Sequence, residues 1–240
     1  MKLNPKLKSW LGALLFLMSV LAGLALSAVV TWGQAEATLY TSFNGDTRVG
    51  IRCPLMLAPF ETGRVRAMIA NLTGEEIKPV VSAGISHIPG PRREDQTIVL
   101  GSGGSETVTW EVDASDVVFE RLILVNILQS RYRDNPSMLG SCGILVFNLF
   151  GLTGLETLWL VVSASLAAMF SGGFIWVNSR RPLNLYSGNL VRVNTLLMII
   201  IVLALLSMFL RWWGLTLVLD ALSLLVMGVI FTDFVLFSQK

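Results

Sequence analysis

The chain has 240 residues, of which 53% are hydrophobic and only 14% charged, with 18 Lys and Arg against 16 Asp and Glu. A soluble domain carries about 25% charged residues, so this composition excludes an ordinary cytosolic globule and a disordered tail and points to a membrane protein. The near balance of charge excludes a nucleic-acid partner, and one histidine and two cysteines leave little from which to build a metal or cofactor site.

In chain order, the charges mark out the spans. Ser9–Ala35 is 27 residues without a charge, Thr157–Ser179 is 23 and Val193–Leu210 is 18, and beyond Arg211 only Asp220 and Asp233 interrupt an apolar run to Phe237. A helix crossing a hydrocarbon core needs about 20 apolar residues. The pattern predicts four transmembrane helices, near 10–32, 156–178, 193–211 and 214–237. The chain then has three parts: 1–35, the N-terminus and first span; 36–150, a segment of different composition with 10 of the 18 basic residues; and 151–240, spans two to four. Trp10, Trp32, Trp159, Trp176, Trp212 and Trp213 fall near span ends, the headgroup level that indole prefers; only Trp110 does not.

Lys2, Lys6, Lys8, Arg180, Arg181, Arg192 and Lys240 fall on one side of this alternation and Arg211 alone in the short loop on the other. The excess of Lys and Arg in cytoplasmic loops predicts a multi-pass protein of the cell membrane with both termini cytoplasmic and 36–150 outside. A second reading of the first span is a signal peptide cleaved at Ala35-Glu36-Ala37; its apolar run, longer than the usual 7–15 residues, favours a retained anchor.

Segment 36–150 reads as short strands. In 64–70, Val65 and Ile69 share one face and Arg64 and Arg66 the other; in 106–112, Val108, Trp110 and Val112 point inward and Thr107, Thr109 and Glu111 outward. Further strands are predicted near 38–43, 48–57, 77–87, 96–100, 121–131 and 143–149, separated by turn clusters such as Asn44-Gly45-Asp46, Pro89-Gly90-Pro91 and Gly101–Gly104. The last of these reads as the turn of a hairpin. The expected class is a membrane α-helical protein with an all-β, sandwich-like ectodomain inserted between helices one and two.

Three local patterns carry a resemblance: Pro59-Phe60-Glu61-Thr62-Gly63 followed by Val65 and Ile69-Ala70-Asn71; Glu75 to Val81; and Leu100 to Val112, with Gly103 where proline is usual. They resemble the bacterial extracytoplasmic immunoglobulin-like modules of the CARDB or NEW3 kind. The resemblance implies an Ig-like β-sandwich and is nearly silent on function; the four-span combination resembles bacterial membrane proteins without a named activity.

Cys53 is expected in an early strand and Cys142 just before the last, both in the outside segment. An even count in an oxidising compartment suggests a bridge, and closing a loop of this length is valued at roughly 4–5 kcal/mol as an upper figure; two buried free thiols are the alternative. In span two, Ser163, Ala167 and Ser171 repeat every fourth residue beside Ala164, Ala168 and Gly172, a face that suits close helix packing within the chain or with a partner; Gly23 and Ser27 offer a shorter version in span one. Asp220 and Asp233 lie in span four about 140° apart around the helix, too far to form a carboxylate pair. Each is read as an interface anchor or a bond to a neighbouring helix, and alternatively as part of an ion path.

No catalytic motif is evident: His87 reads as a surface residue, and Asn71-Leu72-Thr73 is a weak glycosylation match. The leading expectation is a non-enzymatic accessory or scaffold subunit of a membrane complex, contacting membrane lipid and other membrane or extracytoplasmic subunits, with no cofactor. A small transporter or channel component using Asp220 and Asp233 is the alternative, and a membrane enzyme the weakest reading.

Overall fold

A computed structural model describes residues 5–40, 47–179 and 185–237. It contains four long helices, α1 (Pro5–Leu39), α2 (Gly154–Ser179), α3 (Leu185–Phe209) and α4 (Trp213–Phe237), and between α1 and α2 nine strands. The chain divides into two compact units, Met1–Thr31 with Trp159–Lys240, and Trp32–Leu158.

Among the described residues, three helices are long and apolar enough to cross a membrane: Leu7–Leu39, Gly154–Ser179 and Val191–Phe209. In α4 the described apolar stretch, Trp213–Val229, is shorter. Pro5 opens α1, at a position where a missing N–H is harmless, and Gln34-Ala35-Glu36-Ala37 are good helix formers. The helix therefore runs on to Leu39, and the strand expected at 38–43 is replaced by its last turn as far as the description goes; 41–43 lie outside the described residues. At the start of α2 the Thr153 N–H donates to Glu156 Oε2 (2.9 Å) and the Glu156 N–H to Thr153 Oγ1 (3.3 Å), a reciprocal cap. α3 ends at Phe209, and just beyond it Arg211, with a φ of +61°, turns the chain so that Trp212 N–H reaches Ser207 O (2.9 Å) and Arg211 N–H reaches Met208 O (3.1 Å). This double bond pattern closes the helix and starts α4 two residues on.

The β unit holds two sheets. The larger has the order β1 (Thr47–Arg48), β9 (Met138–Val146), β8 (Leu122–Gln129), β5 (Val80–Ile85), β6 (Arg92–Thr97), with β3 (Met56–Leu57) also on β9; the smaller is β2 (Gly50–Arg52), β4 (Gly63–Ala70), β7 (Ser105–Val112). β1 and β3 pair in parallel with opposite ends of β9, and between them the chain crosses to pair β2 with β4. Buried residues of both sheets form one core, including Val65, Ala67, Ile69 and Trp110 from the smaller and Val81, Ile85, Ile123, Val125, Ile127 and Ile144 from the larger.

β4 and β7 follow the expected alternation, with Val65, Ile69, Val108, Trp110 and Val112 buried and Arg64, Arg66, Thr107, Thr109 and Glu111 exposed. β8 is buried almost throughout, so its apolar residues do not alternate with exposed polar ones. Its outer face meets the end of α1, where Leu122 lies against Gly33. β6 differs from the expectation of a strand at 96–100: it starts at Arg92 and is polar on both faces. It is an edge strand paired only with β5, so charge rather than alternation marks it. The Gly101–Gly104 turn leads from the larger sheet to the smaller, because β6 and β7 belong to different sheets; it is not a hairpin turn.

Candidate functional site

In the helical unit the buried polar side chains are nearly all hydroxyls, and they join helices in pairs. Ser165 Oγ donates to Ser19 O at 2.7 Å, between α2 and α1. Ser27 Oγ lies 2.7 Å from Asp220 Oδ1, between α1 and α4. Ser207 Oγ and Thr216 Oγ1 are 2.8 Å apart, between α3 and α4. Gly23 lets α1 approach both α2 and α3: a Cβ there would stand 3.1 Å from Ser165 Oγ and 3.2 Å from Ile201.

Asp220 is buried, two turns into α4, and its Oδ2 has no hydrogen-bond partner among the described residues. Ser223 Oγ donates to the Asp220 carbonyl at 2.7 Å. The carboxylate thus bonds a residue of a neighbouring helix, α1. The side chain of Asp233 lies outside the described residues.

The small residues of α2 divide. Ser163, Ala164, Ala167 and Ser171 are exposed and Ala168 is half-buried, whereas Gly172 is buried. A Cβ on Gly172 would lie 2.6 Å from Phe16 N, and one on Gly12 would lie 2.7 Å from Trp176 N, so these glycines mark where α1 and α2 touch backbone to backbone. The inward face of α2 is Leu158, Val162, Ser165, Met169, Gly172 and Trp176. Their spacing of four and three was readable in the sequence, though the more regular four-residue repeat beside it stood out more.

In the β unit Cys53 and Cys142 form a disulfide with Cα atoms 6.6 Å apart. Cys142 lies inside β9 rather than before it, and Cys53 just after β2. The bridge therefore closes the point where the chain leaves the smaller sheet to return to the larger.

A cluster the sequence did not announce surrounds Asp116. Its side chain is buried, in the short 3₁₀ turn Ala114–Asp116. Oδ2 accepts from Arg92 Nη2 at 3.0 Å and from Asp113 N–H at 3.1 Å, and Oδ1 is 3.5 Å from Nδ1 of the partly exposed His87. Arg92 also reaches Glu94 Oε1 at 2.5 Å and Glu111 O at 2.9 Å. Ser86 Oγ donates to Asp116 O (2.6 Å) and accepts from Leu124 N–H (2.9 Å). The buried carboxylate neutralises Arg92 and fastens the edge strand to the turn. His87 is partly exposed, as read from the sequence, and its ring stands beside this buried carboxylate. The readable signal was the capping pattern Asp113-Ala-Ser-Asp116. Among the described residues no group of three or more His, Cys, Asp or Glu stands where it would hold a metal.

Asn71 is not a glycosylation acceptor in this fold. It is buried, and its Nδ2 donates to Glu75 O (2.7 Å), Gly101 O (2.8 Å) and, more distantly, Leu100 O (3.3 Å). Its Oδ1 accepts from Thr73 N (2.9 Å) and Oγ1 (2.7 Å). The amide nitrogen that would carry a glycan is committed to holding two loops together.

No protein-family profile and no curated protein sequence matches the chain. Among solved structures, it is similar to a cycloisomaltooligosaccharide glucanotransferase from Paenibacillus sp., at 19% identity and a TM-score of 0.36 over 43% of this chain and 14% of that one. It is similar to the CARDB domain of a Pyrococcus furiosus protein in complex with di-metal ions, at 13% identity and a TM-score of 0.33 over 45% and 95%. A superoxide reductase (neelaredoxin) from Ignicoccus hospitalis is similar at 11% identity and a TM-score of 0.32 over 42% and 80%. This chain thus spans only 14% of the length of the glucanotransferase, and what it does is argued from its own residues.

Proposed function

We propose that the chain is a non-enzymatic integral membrane protein, an accessory or scaffold subunit whose β unit mediates protein–protein contact. In this reading α1 to α4 all span the cell membrane, both termini are cytoplasmic, and residues 36–150 form an extracytoplasmic Ig-like sandwich of the CARDB or NEW3 kind. The sequence patterns around Pro59–Asn71 and Leu100–Val112 and the two-sheet core support that last assignment. Lysines before α1, and Arg180, Arg181 and Arg192 between α2 and α3, support the orientation.

The observation that carries the reading is that the β unit takes in the last turns of α1 and the first of α2. Gln34 Nε2 in the last turns of α1 donates to Gly143 O at 2.6 Å, and the Gly154 N–H at the start of α2 donates to Glu61 Oε2 at 2.6 Å. Glu61 Oε2 also accepts from Ala58 N–H at 2.6 Å. These bonds tie the sheets to the segments with which the β unit begins and ends, which suits a module that presents a surface to a partner. The exposed Ser163, Ala167 and Ser171 give α2 a face for a partner helix. Purification of the tagged chain from its own membranes in mild detergent, with cross-linking, is expected to bring down a stoichiometric second protein. A lone monodisperse monomer under those conditions counts against the reading.

A second reading, a transporter or channel component, draws on Asp220 Oδ2, buried without a hydrogen bond among the described residues. Asp220→Asn together with Asp233→Asn is then expected to abolish ion flux in proteoliposomes; unchanged flux removes this reading.

A further inference from the structure

Four connections of the β unit meet at one end. β9 runs toward Val146; β8 begins at Leu122, opposite Leu145; β3 ends at Leu57, opposite Val146; and β5 ends at Ile85, opposite Val125, three residues into β8. The β3–β4, β5–β6, β7–β8 and β9–α2 loops therefore lie together. Each presents a large apolar side chain outward: Phe60 is 61% exposed, Ile88 69%, Phe119 71% and Phe150 92%. Phe119 and Phe150 have φ of 50° and 53°, the left-handed region that bulky residues avoid. Two aromatic rings are thus held in an unfavourable backbone conformation and pointed away from the core.

The same end is where the chain meets its apolar helices. Gly33 of α1 lies against Leu122 and Gly143. α2 begins at Gly154, four residues after Phe150, a span that fully extended chain limits to about 14 Å. Glu61, beside Phe60, accepts the Gly154 N–H. Large apolar side chains a few residues from a membrane-crossing helix gain most at the headgroup and upper acyl level, where apolar area leaves water and nothing polar need be stripped.

We propose that this end of the β unit is a lipid-contact surface, with Phe60, Ile88, Phe119 and Phe150 seated in the outer headgroup region of the bilayer that α1 and α2 cross. The proposal rests on the reading of those helices as spans. It makes the module a membrane-resting body whose far end, at Leu72 and Val99, faces water.

The test uses the full chain in phosphatidylcholine nanodiscs. Single cysteines replace each of the four residues and carry an environment-sensitive dye, Cys53 and Cys142 being occupied by their bridge. Leu72→Cys and Val99→Cys serve as far-end controls and Phe174→Cys, exposed on α2, as the membrane control. The four tip labels are expected to shift to the blue and lose most of their emission to spin-labelled lipid, while the far-end labels respond only to aqueous iodide. Tip labels that behave like Leu72 while Phe174 is quenched by lipid overturn this proposal and leave the membrane reading intact. An unquenched Phe174 overturns the membrane reading, and the proposal with it. Blue-shifted tips without lipid quenching assign the surface to a protein and also overturn it. Phe→Trp variants read with brominated lipid repeat the test without a dye.

Discussion

The β unit and the helical unit cohere by different means. The β unit buries a core of large apolar side chains around Trp110, Ile69, Ile123 and Ile144 and pins it with one disulfide. In the helical unit apolar side chains lie on every face of the helices, exposed as well as buried, so hydrophobicity selects no neighbour. Contact is chosen instead by small residues and hydroxyls: Gly12 with Gly172, Ser19 with Ser165, Ser27 with Asp220, Ser207 with Thr216. The contrast teaches that greasiness is informative only where water is the alternative, as lipid tails compete with Leu and Val for the same contacts.

The largest expected effect compares a glycine from each unit. A Cβ on Gly143 would lie 2.0 Å from Gly33 O, a clash of the Cβ against backbone that no rotamer relieves. Gly143→Val is expected to cost more than about 4 kcal/mol and to prevent the β unit from folding, read by near-UV circular dichroism. Gly172→Val meets Phe16 N at 2.6 Å, but helices can slide, so about 1–3 kcal/mol is expected, read by unfolding in mixed detergent. Equal losses would erase the contrast.

Next comes the core against the bridge. Trp110→Ala is expected to destabilise the β unit by about 3–5 kcal/mol, and reduction of Cys53–Cys142 by about 2–5 kcal/mol. Both should lower the melting temperature of the β unit while the helical far-UV signal persists; a helical signal that melts with it would show the two units to be one cooperative block. Ser27→Ala tests the other side, where interhelical hydrogen bonds contribute about 0.6–1.7 kcal/mol, so a small shift in detergent unfolding is expected. A loss as large as that of Trp110→Ala would mean that Asp220 organises the helical unit.

The smallest effect is electrostatic. The Ser115 hydroxyl, and after it the Ser115 backbone N–H, hold the Asp113 carboxyl below its usual range. Because the folded group is the stronger acid, its stabilisation is present above the unfolded pKa and is lost as pH falls through the folded one, in a window below about pH 4. Ser115→Ala should flatten the acid limb of the β unit's stability curve; an unchanged limb contradicts the assignment.

Much of the β unit was legible because half-buried strands alternate. β4 and β7 follow from Val65, Ile69, Val108, Trp110 and Val112 alone. β6 was missed because an edge strand need not bury a face, and Arg92-Arg93-Glu94-Asp95 looks like loop. The Asp116 cluster was invisible for a different reason: Ser86, Arg92, Asp116 and Leu124 come from separate elements, and only pairing of β5 with β8 brings them into reach. Of the candidate site, Asp220 stood out as a charge in an apolar run, but its partner Ser27 is 193 residues away and carries no mark of the pairing.

Composition and charge spacing determined which stretches are apolar helices and which segment is β, since both follow from periodicity and from the cost of charge in hydrocarbon. The tertiary structure alone decided which face of α2 turns inward, that Asn71 is a buried staple, and that the loops carrying Phe60, Ile88, Phe119 and Phe150 fall at one end of the β unit. Those outcomes depend on close approach between residues distant in the chain, and local pattern holds no record of distance in space.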